Sequence, residues 1–149
     1  MNPIVKKAIN IANLNEDAQG KIIQFTSVSA STLKNQLGET IFEQYIALPE
    51  DELVPGDEGF VEYPLLTTEQ KMRRDLETAQ AYFLLYFAVP GLKEFSLGEV
   101  TLDRATFGEG QLVPSQSTSL ERYQKMFWNM ATKFCDKYTS TGDISVSVI

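Results

Sequence analysis

The stretch that decides the fold is LTTEQKMRRDLETAQAYFLLYFAVPG, residues 66–91. Thr67 and Gln70 have the spacing of a capping box, which predicts that a helix begins here. Apolar side chains then recur at helical spacing, and the first two turns carry charged residues on the other side. From Ala81 to Val89 the sequence is apolar all round, so this half of the helix is predicted to be buried on every side. The core is therefore predicted to form around this helix.

Amphipathic segments on both sides supply further helices. Asn2 and Pro3 have the character of an N-cap and a first helical residue, and Gly38 is typical of a residue that ends a helix. Ser119–Tyr138 is predicted to be the last helix, with an apolar stripe on one face. The central and last helices give a predicted core of Leu76, Phe83, Phe87, Phe127, Met130 and Phe134. We predict a mainly α fold, a small helical bundle forming one domain over residues 1–142.

Two segments are predicted to depart from this helical pattern. Residues 96–114 combine an alternating stretch with turn glycines, which predicts a minor β-hairpin or extended excursion. Residues 143–149, DISVSVI, alternate with the period of a half-buried strand and are predicted to form a C-terminal strand-like tail. This strand would pair either with residues 99–103 or with the edge of a neighbouring chain. The second arrangement is favoured because the tail follows a polar hinge at residues 139–142.

The formal net charge of −7 is concentrated in one segment. Residues 49–66 contain six acidic residues, three prolines, two glycines and no basic residue, which predicts a long acidic loop. Four of its acids are candidates for facing a channel or a neighbouring subunit: Asp51, Glu52, Asp57 and Glu58. An acidic chain is poorly suited to gripping DNA, because affinity for a duplex comes from neutralising its phosphates.

The residue types needed for common catalytic sites are missing or isolated. The chain has no histidine, which excludes Ser-His and Cys-His nucleophile pairs and imidazole metal ligands. Cys135 is the single cysteine, so an internal disulfide is excluded, and we interpret it as a small packing residue. The acidic loop lacks the ligand spacing of a calcium loop. We therefore predict that the protein is not an enzyme and has no catalytic residues, no metal and no cofactor.

The sequence also bears on where the protein is found. The longest apolar run, residues 81–90, has about half of the ~20 residues that a membrane span requires. The N-terminus turns polar too early for the apolar region of a signal peptide. We therefore predict no membrane segment and synthesis in the cytoplasm.

The last predicted helix and the tail carry the candidates for an interface. Trp128 lies about 120° from the apolar stripe at ~100° per residue, so it either widens the core or forms part of an exposed interface. Four basic residues share the face opposite the stripe: Arg122, Lys125, Lys133 and Lys137. This basic face is either solvated or in contact with an acidic neighbour. The apolar residues of the predicted terminal strand complete the set: Ile144, Val146 and Val148.

Two stretches resemble a known family. Residues 21–47, KIIQFTSVSASTLKNQLGETIFEQYIA, resemble the helix, Leu-Gly stop and short aromatic helix of tailed-phage head–tail connector (adaptor) proteins, which dock beneath the portal. Residues 79–138, beginning AQAYFLLYFAVPGLKEF, are similar to the same family's buried helix, extended excursion and final amphipathic helix. Together the two stretches cover well over half of the chain. The likeness is one of element order and residue pattern.

The resemblance implies a structural virion protein without catalytic residues. It implies a ring of identical subunits, usually dodecameric, between the portal and the tail. Such a ring extends the DNA channel, lets DNA pass without binding it specifically, and gives tail or neck proteins a docking surface. The expected location is the neck of the virion, after synthesis in the host cytoplasm. The alternative is a soluble acidic binding protein that mimics the charge of DNA to inhibit an enzyme, which would need acids spread over a surface.

Overall fold

The computed structural model of the protein describes residues 2–92 and 117–148, with side chains described for residues 2–92 and 120–139. Within these residues the chain is mainly α-helical and contains no β-strand, so the predicted helical bundle is confirmed. The α-helices are α1 Pro3–Ala12, α2 Gln19–Ile22, α3 Thr26–Leu37, α4 Glu39–Ile46, α5 Thr68–Leu92 and α6 Ser117–Val148. Short 3₁₀ turns occur at Glu16–Ala18, Ile23–Phe25 and Tyr63–Leu65.

Local sequence sets the ends of several helices. The side chain of Asn2 accepts hydrogen bonds from two backbone N–H groups in the first turn of α1, which would otherwise lack partners. The predicted capping box of α5 is confirmed. The backbone N–H of Thr67 donates to Oε1 of Gln70 at 2.9 Å, and that of Gln70 donates to Oγ1 of Thr67 at 3.2 Å. Gly38 separates α3 from α4 with a φ of 86°, a conformation that glycine adopts without strain.

Helix α5 is the centre of the bundle. It packs against α6 over much of its length and against α1 and α3 on its other sides. Its second half is largely buried: every position from Ala79 to Leu85 is buried, as are Ala88 and Val89, whereas Tyr86 and Phe87 are only partly buried, contrary to the prediction. Of the predicted core, three side chains are fully buried: Leu76, Phe83 and Phe127. The other three are partly buried and lie nearer the surface: Phe87, Met130 and Phe134.

A buried chain of hydrogen bonds fixes how α3, α4 and α5 meet. The Tyr45 hydroxyl donates to Oε1 of Gln80 at 3.0 Å, and Nε2 of Gln80 donates to Oγ of Ser29 at 3.4 Å. All three residues are buried, and burial raises the pKa of Tyr45 above its usual value. Because each buried polar group needs its partner, this chain favours one register of the three helices over others.

The two predictions of β structure have different outcomes. The prediction of a strand over residues 143–149 is wrong, because α6 continues through Val148 and so includes Ile144 and Val146. Alternation over so few residues does not distinguish a strand from a helix, since Ile144 and Val148 are also four residues apart and share a helical face. The predicted β excursion at residues 96–114 lies outside the described residues.

Candidate functional site

The start of the acidic segment 49–66 is attached to the bundle through Asp51. Its Oδ2 accepts a hydrogen bond from Nζ of Lys7 on α1 at 2.9 Å and another from Nε of Arg74 on α5 at 2.8 Å. Burial alone would raise the pKa of Asp51, but the hydrogen bonds from Arg74 and Lys7 outweigh it and hold that pKa below its usual value. Asp51 therefore points inward as an anchor, which corrects the expectation that it faces a channel or a neighbour.

A fully buried carboxylate, Glu77, lies beneath this anchor. Its Oε2 accepts from Nε of Arg73 at 2.6 Å and from the backbone N–H of Asp51 at 3.0 Å. Its Oε1 makes no hydrogen bond and lies 3.3 Å from the ammonium nitrogen of Lys7. Two acids and their basic partners thus form one network between α1, α5 and the acidic segment. Buried charges are tolerated when they are paired in this way.

The end of the acidic segment is attached through Asp75 on α5, which is 2% exposed. Its Oδ2 accepts from the Tyr63 hydroxyl at 2.8 Å, the Tyr138 hydroxyl at 2.5 Å and Nζ of Lys137 at 3.0 Å. Nζ of Lys137 also donates to the Tyr63 hydroxyl at 2.6 Å, and this bond is the main reason that the pKa of Lys137 is raised. Lys137 is therefore bonded within the chain, while its side chain remains 51% exposed, in agreement with its predicted place on the outward basic face.

The other three candidate acids of the loop differ in their surroundings. Asp57 lies 2.7 Å from Nζ of Lys6 and accepts from the backbone N–H of Val54 at 3.0 Å. The hydrogen bond from Lys6 is the main cause that lowers the pKa of Asp57. Glu52 and Glu58 are exposed. Of the four candidate acids, the two that point outward are therefore Glu52 and Glu58.

The outer face of α6 is polar and carries the remaining basic candidates. Arg122, Lys125 and Lys133 are all exposed there, as the helical count predicted. Trp128 was predicted to lie either in the core or at an interface. It packs against Phe83 with 5.0 Å between the ring centroids. It is partly buried at the edge of the core. The outward surface of this helix thus contains these basic residues together with the exposed Glu121, Asn129 and Asp136, rather than the tryptophan.

A cavity of about 310 Å³ opens between the acidic segment and the start of α5. Part of its lining is apolar and comes from the acidic segment: Pro49, Leu53, Val61 and Leu66. The polar lining includes two arginines and two exposed glutamates: Arg73, Arg74, Glu50 and Glu69. Sequence reasoning missed this cavity, since its walls come from a segment that was predicted to be a solvated loop.

Common signs of metal binding, thiol chemistry and membrane insertion are absent from the described part of the chain. No group of three or more cysteine, aspartate or glutamate side chains there could hold a metal ion. Burial raises the pKa of the Cys135 thiol to about 12, so the thiol stays protonated and unreactive near neutral pH. No helix among residues 2–92 and 117–148 combines the length and apolar character needed to cross a bilayer.

The chain matches no protein-family model, no curated protein and no solved structure.

Proposed function

We propose that the protein is a head–tail connector of a tailed phage. It is a structural virion protein that assembles into a ring between the portal and the tail. The ring extends the channel through which DNA passes and offers a docking surface to tail or neck proteins. In this role the protein works by assembly and needs no catalytic residue.

The supporting observation is that one bundle carries two different outward surfaces of opposite charge. One is the basic face of α6, with Arg122, Lys125 and Lys133, and the other is the exposed pair Glu52 and Glu58. A ring is built from heterologous contacts, in which one surface of a subunit meets a different surface of the next. Opposite charges on the two surfaces would fix the orientation of such a contact and speed its formation.

The distribution of acids favours a connector over a DNA mimic. A mimic needs many free carboxylates spread over one surface. Here Asp51 is paired with Lys7 and Arg74, and Asp57 is paired with Lys6, so part of the acidic segment is neutralised internally. An exposed acid that faces the channel instead of a neighbouring subunit would offer no counter-charge to hold passing phosphates.

Particle size measured by light scattering and electron microscopy tests the proposal. We expect ring-shaped particles from the purified protein, either alone or after addition of the portal protein of the same phage. The double variant Lys125→Glu, Lys133→Glu should prevent ring formation, and adding Glu52→Lys with Glu58→Lys should restore it. The control is Lys34→Glu, which reverses an exposed lysine on α3 and should leave the rings intact.

The salt dependence of assembly is a second readout. Contacts between exposed charges weaken as ionic strength rises, so the rings should dissociate more readily at high salt. A protein that stays monomeric with and without the portal protein contradicts the connector proposal. If that monomer also inhibits a DNA-processing enzyme, the charge-mimic alternative is correct.

A further inference from the structure

The cavity between the acidic segment and α5 is held open by contacts at several points. Asp51 is bound by Lys7 and Arg74 at one end of the segment, and Tyr63 is bound by Asp75 at the other. The guanidinium of Arg74 also donates to the backbone carbonyl of Val61 in the cavity wall at 2.5 Å. A cavity whose walls are already fixed loses little conformational freedom when something binds in it.

The size and lining of the cavity suit one large apolar side chain. A volume of about 310 Å³ lies at the lower end of the ~300–1,000 Å³ typical of ligand pockets. Leu53 and Val61 line it and are 36% and 41% exposed, so the cavity leaves two large apolar side chains partly in contact with water. Neighbouring Leu65 is 77% exposed. An apolar group bound in the cavity would remove part of this surface from water.

The charge around the cavity favours a ligand that carries positive charges on either side of its apolar group. Glu50 and Glu69 line the cavity and are exposed, and Glu62 close by in the sequence is exposed as well. The arginines of the lining are already engaged with Asp51 and Glu77. The outward charge at the opening is therefore negative, and it would attract lysine or arginine side chains.

One donor of the lining, Nη2 of Arg73, makes no hydrogen bond within the described residues. The side chain of Arg73 is 10% exposed; its Nε donates to Glu77 and its Nη1 to the backbone carbonyl of Tyr45. Within the described residues its Nη2 has only an ion pair with Glu50 at 4.0 Å, which is longer than a hydrogen bond. A carbonyl oxygen entering the cavity would give this donor an acceptor.

We infer that this cavity is a docking site for a short basic peptide segment of a partner protein. One large apolar side chain of the segment fills the space between Leu53, Val61 and Leu66. Lysine or arginine residues on either side of it pair with Glu50 and Glu69. A backbone carbonyl of the segment accepts a hydrogen bond from Nη2 of Arg73.

The inference goes beyond the connector proposal and is tested separately from it. The docking site uses Glu50 and Glu69, whereas the proposed ring contact uses Glu52, Glu58 and the outer face of α6. A partner segment docks here whether or not the protein forms rings. A result that contradicts the docking site therefore does not contradict the connector proposal, and the reverse also holds.

The test uses the full-length protein and fluorescently labelled synthetic peptides. The probe has the core sequence Lys-Lys-Phe-Lys-Lys with glycine at both ends, and two matched peptides replace the phenylalanine by alanine or all lysines by glutamate. Fluorescence anisotropy should show saturable binding of the probe. The alanine peptide should bind about 10- to 100-fold more weakly, as expected for loss of a buried phenylalanine, and the glutamate peptide should not bind.

Two variants of the protein locate the site. Val61→Trp should fill the cavity and weaken binding of the probe at least tenfold. The double variant Glu50→Gln, Glu69→Gln should weaken it about two- to tenfold, the range for exposed ion pairs. The control Glu39→Gln, Glu43→Gln removes the same charge from exposed positions on α4 and should change binding less than twofold.

Three outcomes would contradict the inferred docking site. Absence of saturation up to about 1 mM probe, a limit that marks very weak binding, overturns the inference. Equal binding of the phenylalanine and alanine peptides shows unspecific attraction to an acidic protein and also overturns it. Undiminished binding to the Val61→Trp variant places the peptide elsewhere, with the same consequence.

Discussion

Replacing Asp51 by asparagine removes the charge that holds the acidic segment on the bundle. In the native protein the carboxylate accepts one hydrogen bond from Lys7 and two from Arg74, at distances of 2.8–3.2 Å, and its side chain is 19% exposed. Asparagine has nearly the same shape but only one acceptor oxygen and no charge. Two basic side chains next to the buried Glu77 would then lose their nearest anionic partner.

The loss of stability depends on the hydrogen bonds that Lys7 and Arg74 keep in the variant. Breaking a buried ion pair by removing one partner costs about 3–5 kcal/mol, and a hydrogen bond to a charged group contributes about 1.5–3 kcal/mol. Lys7 keeps its hydrogen bond to the backbone carbonyl of Asp51 at 2.8 Å, and Arg74 keeps its hydrogen bond to that of Val61. The lower range of about 1.5–3 kcal/mol therefore applies. We expect a loss of about 2 kcal/mol in the free energy of unfolding, or about 4–8 °C in Tm for a domain of this size.

Thermal and urea unfolding of the variant, followed by circular dichroism, measure this loss. The double variant Glu52→Gln, Glu58→Gln is the control, since both glutamates are exposed and surface changes are usually within about 0.5 kcal/mol. The pKa of Asp51 is lowered in the folded state. Its contribution is therefore complete above the ordinary aspartate pKa of about 3.9 and is lost as the pH falls below that value. The difference in unfolding free energy between the native protein and the variant should be constant from pH 6 to 8 and should become smaller in acid.

A Tm of the Asp51→Asn variant equal to that of the control would refute the anchoring role. A difference in unfolding free energy that persists in acid would show that the loss of stability does not come from the carboxylate charge. In the first case the acidic segment would be the freely solvated loop that the sequence suggested.

Three further predictions concern the core and the last helix. Phe83→Ala should cost about 3–5 kcal/mol in a urea titration, because Phe83 is fully buried, and a nearly unchanged midpoint would contradict the core assignment. Cys135 should not react with a disulfide reagent at pH 8 until the protein unfolds, since burial raises the pKa of its thiol to about 12; rapid labelling of the native protein would show that the site opens. Gly142→Ala should raise the unfolding free energy by up to about 1 kcal/mol, because Gly142 lies inside α6, whereas a flexible hinge followed by a strand would give no gain.

Much of the helical framework could be predicted because its signals are local. The capping box at Thr67, the apolar run that follows it and the glycine at position 38 act within one or two turns of their own helix. The burial of Phe83 and Phe127 follows from the same periodicity, because an apolar stripe must be covered by another element. The exposed basic residues of α6 could be placed for the same reason. The terminal strand was mistaken because a short alternating stretch satisfies two periodicities at once.

The candidate site depended on contacts that no local pattern contains. Lys7 and Asp51 are 44 residues apart, and Tyr138 and Asp75 are 63 residues apart, so nothing in the spacing of acids distinguishes an anchored carboxylate from a solvated one. By itself the sequence determined most of the helical segments, though not residues 143–148, and also which helix is buried and where the charge is concentrated. Only the tertiary structure decided which acids are neutralised and that the acidic segment encloses a cavity. The physical reason is that helix formation depends on neighbours within a few residues, whereas pairing and desolvation of charges depend on which distant side chains the packed bundle brings together.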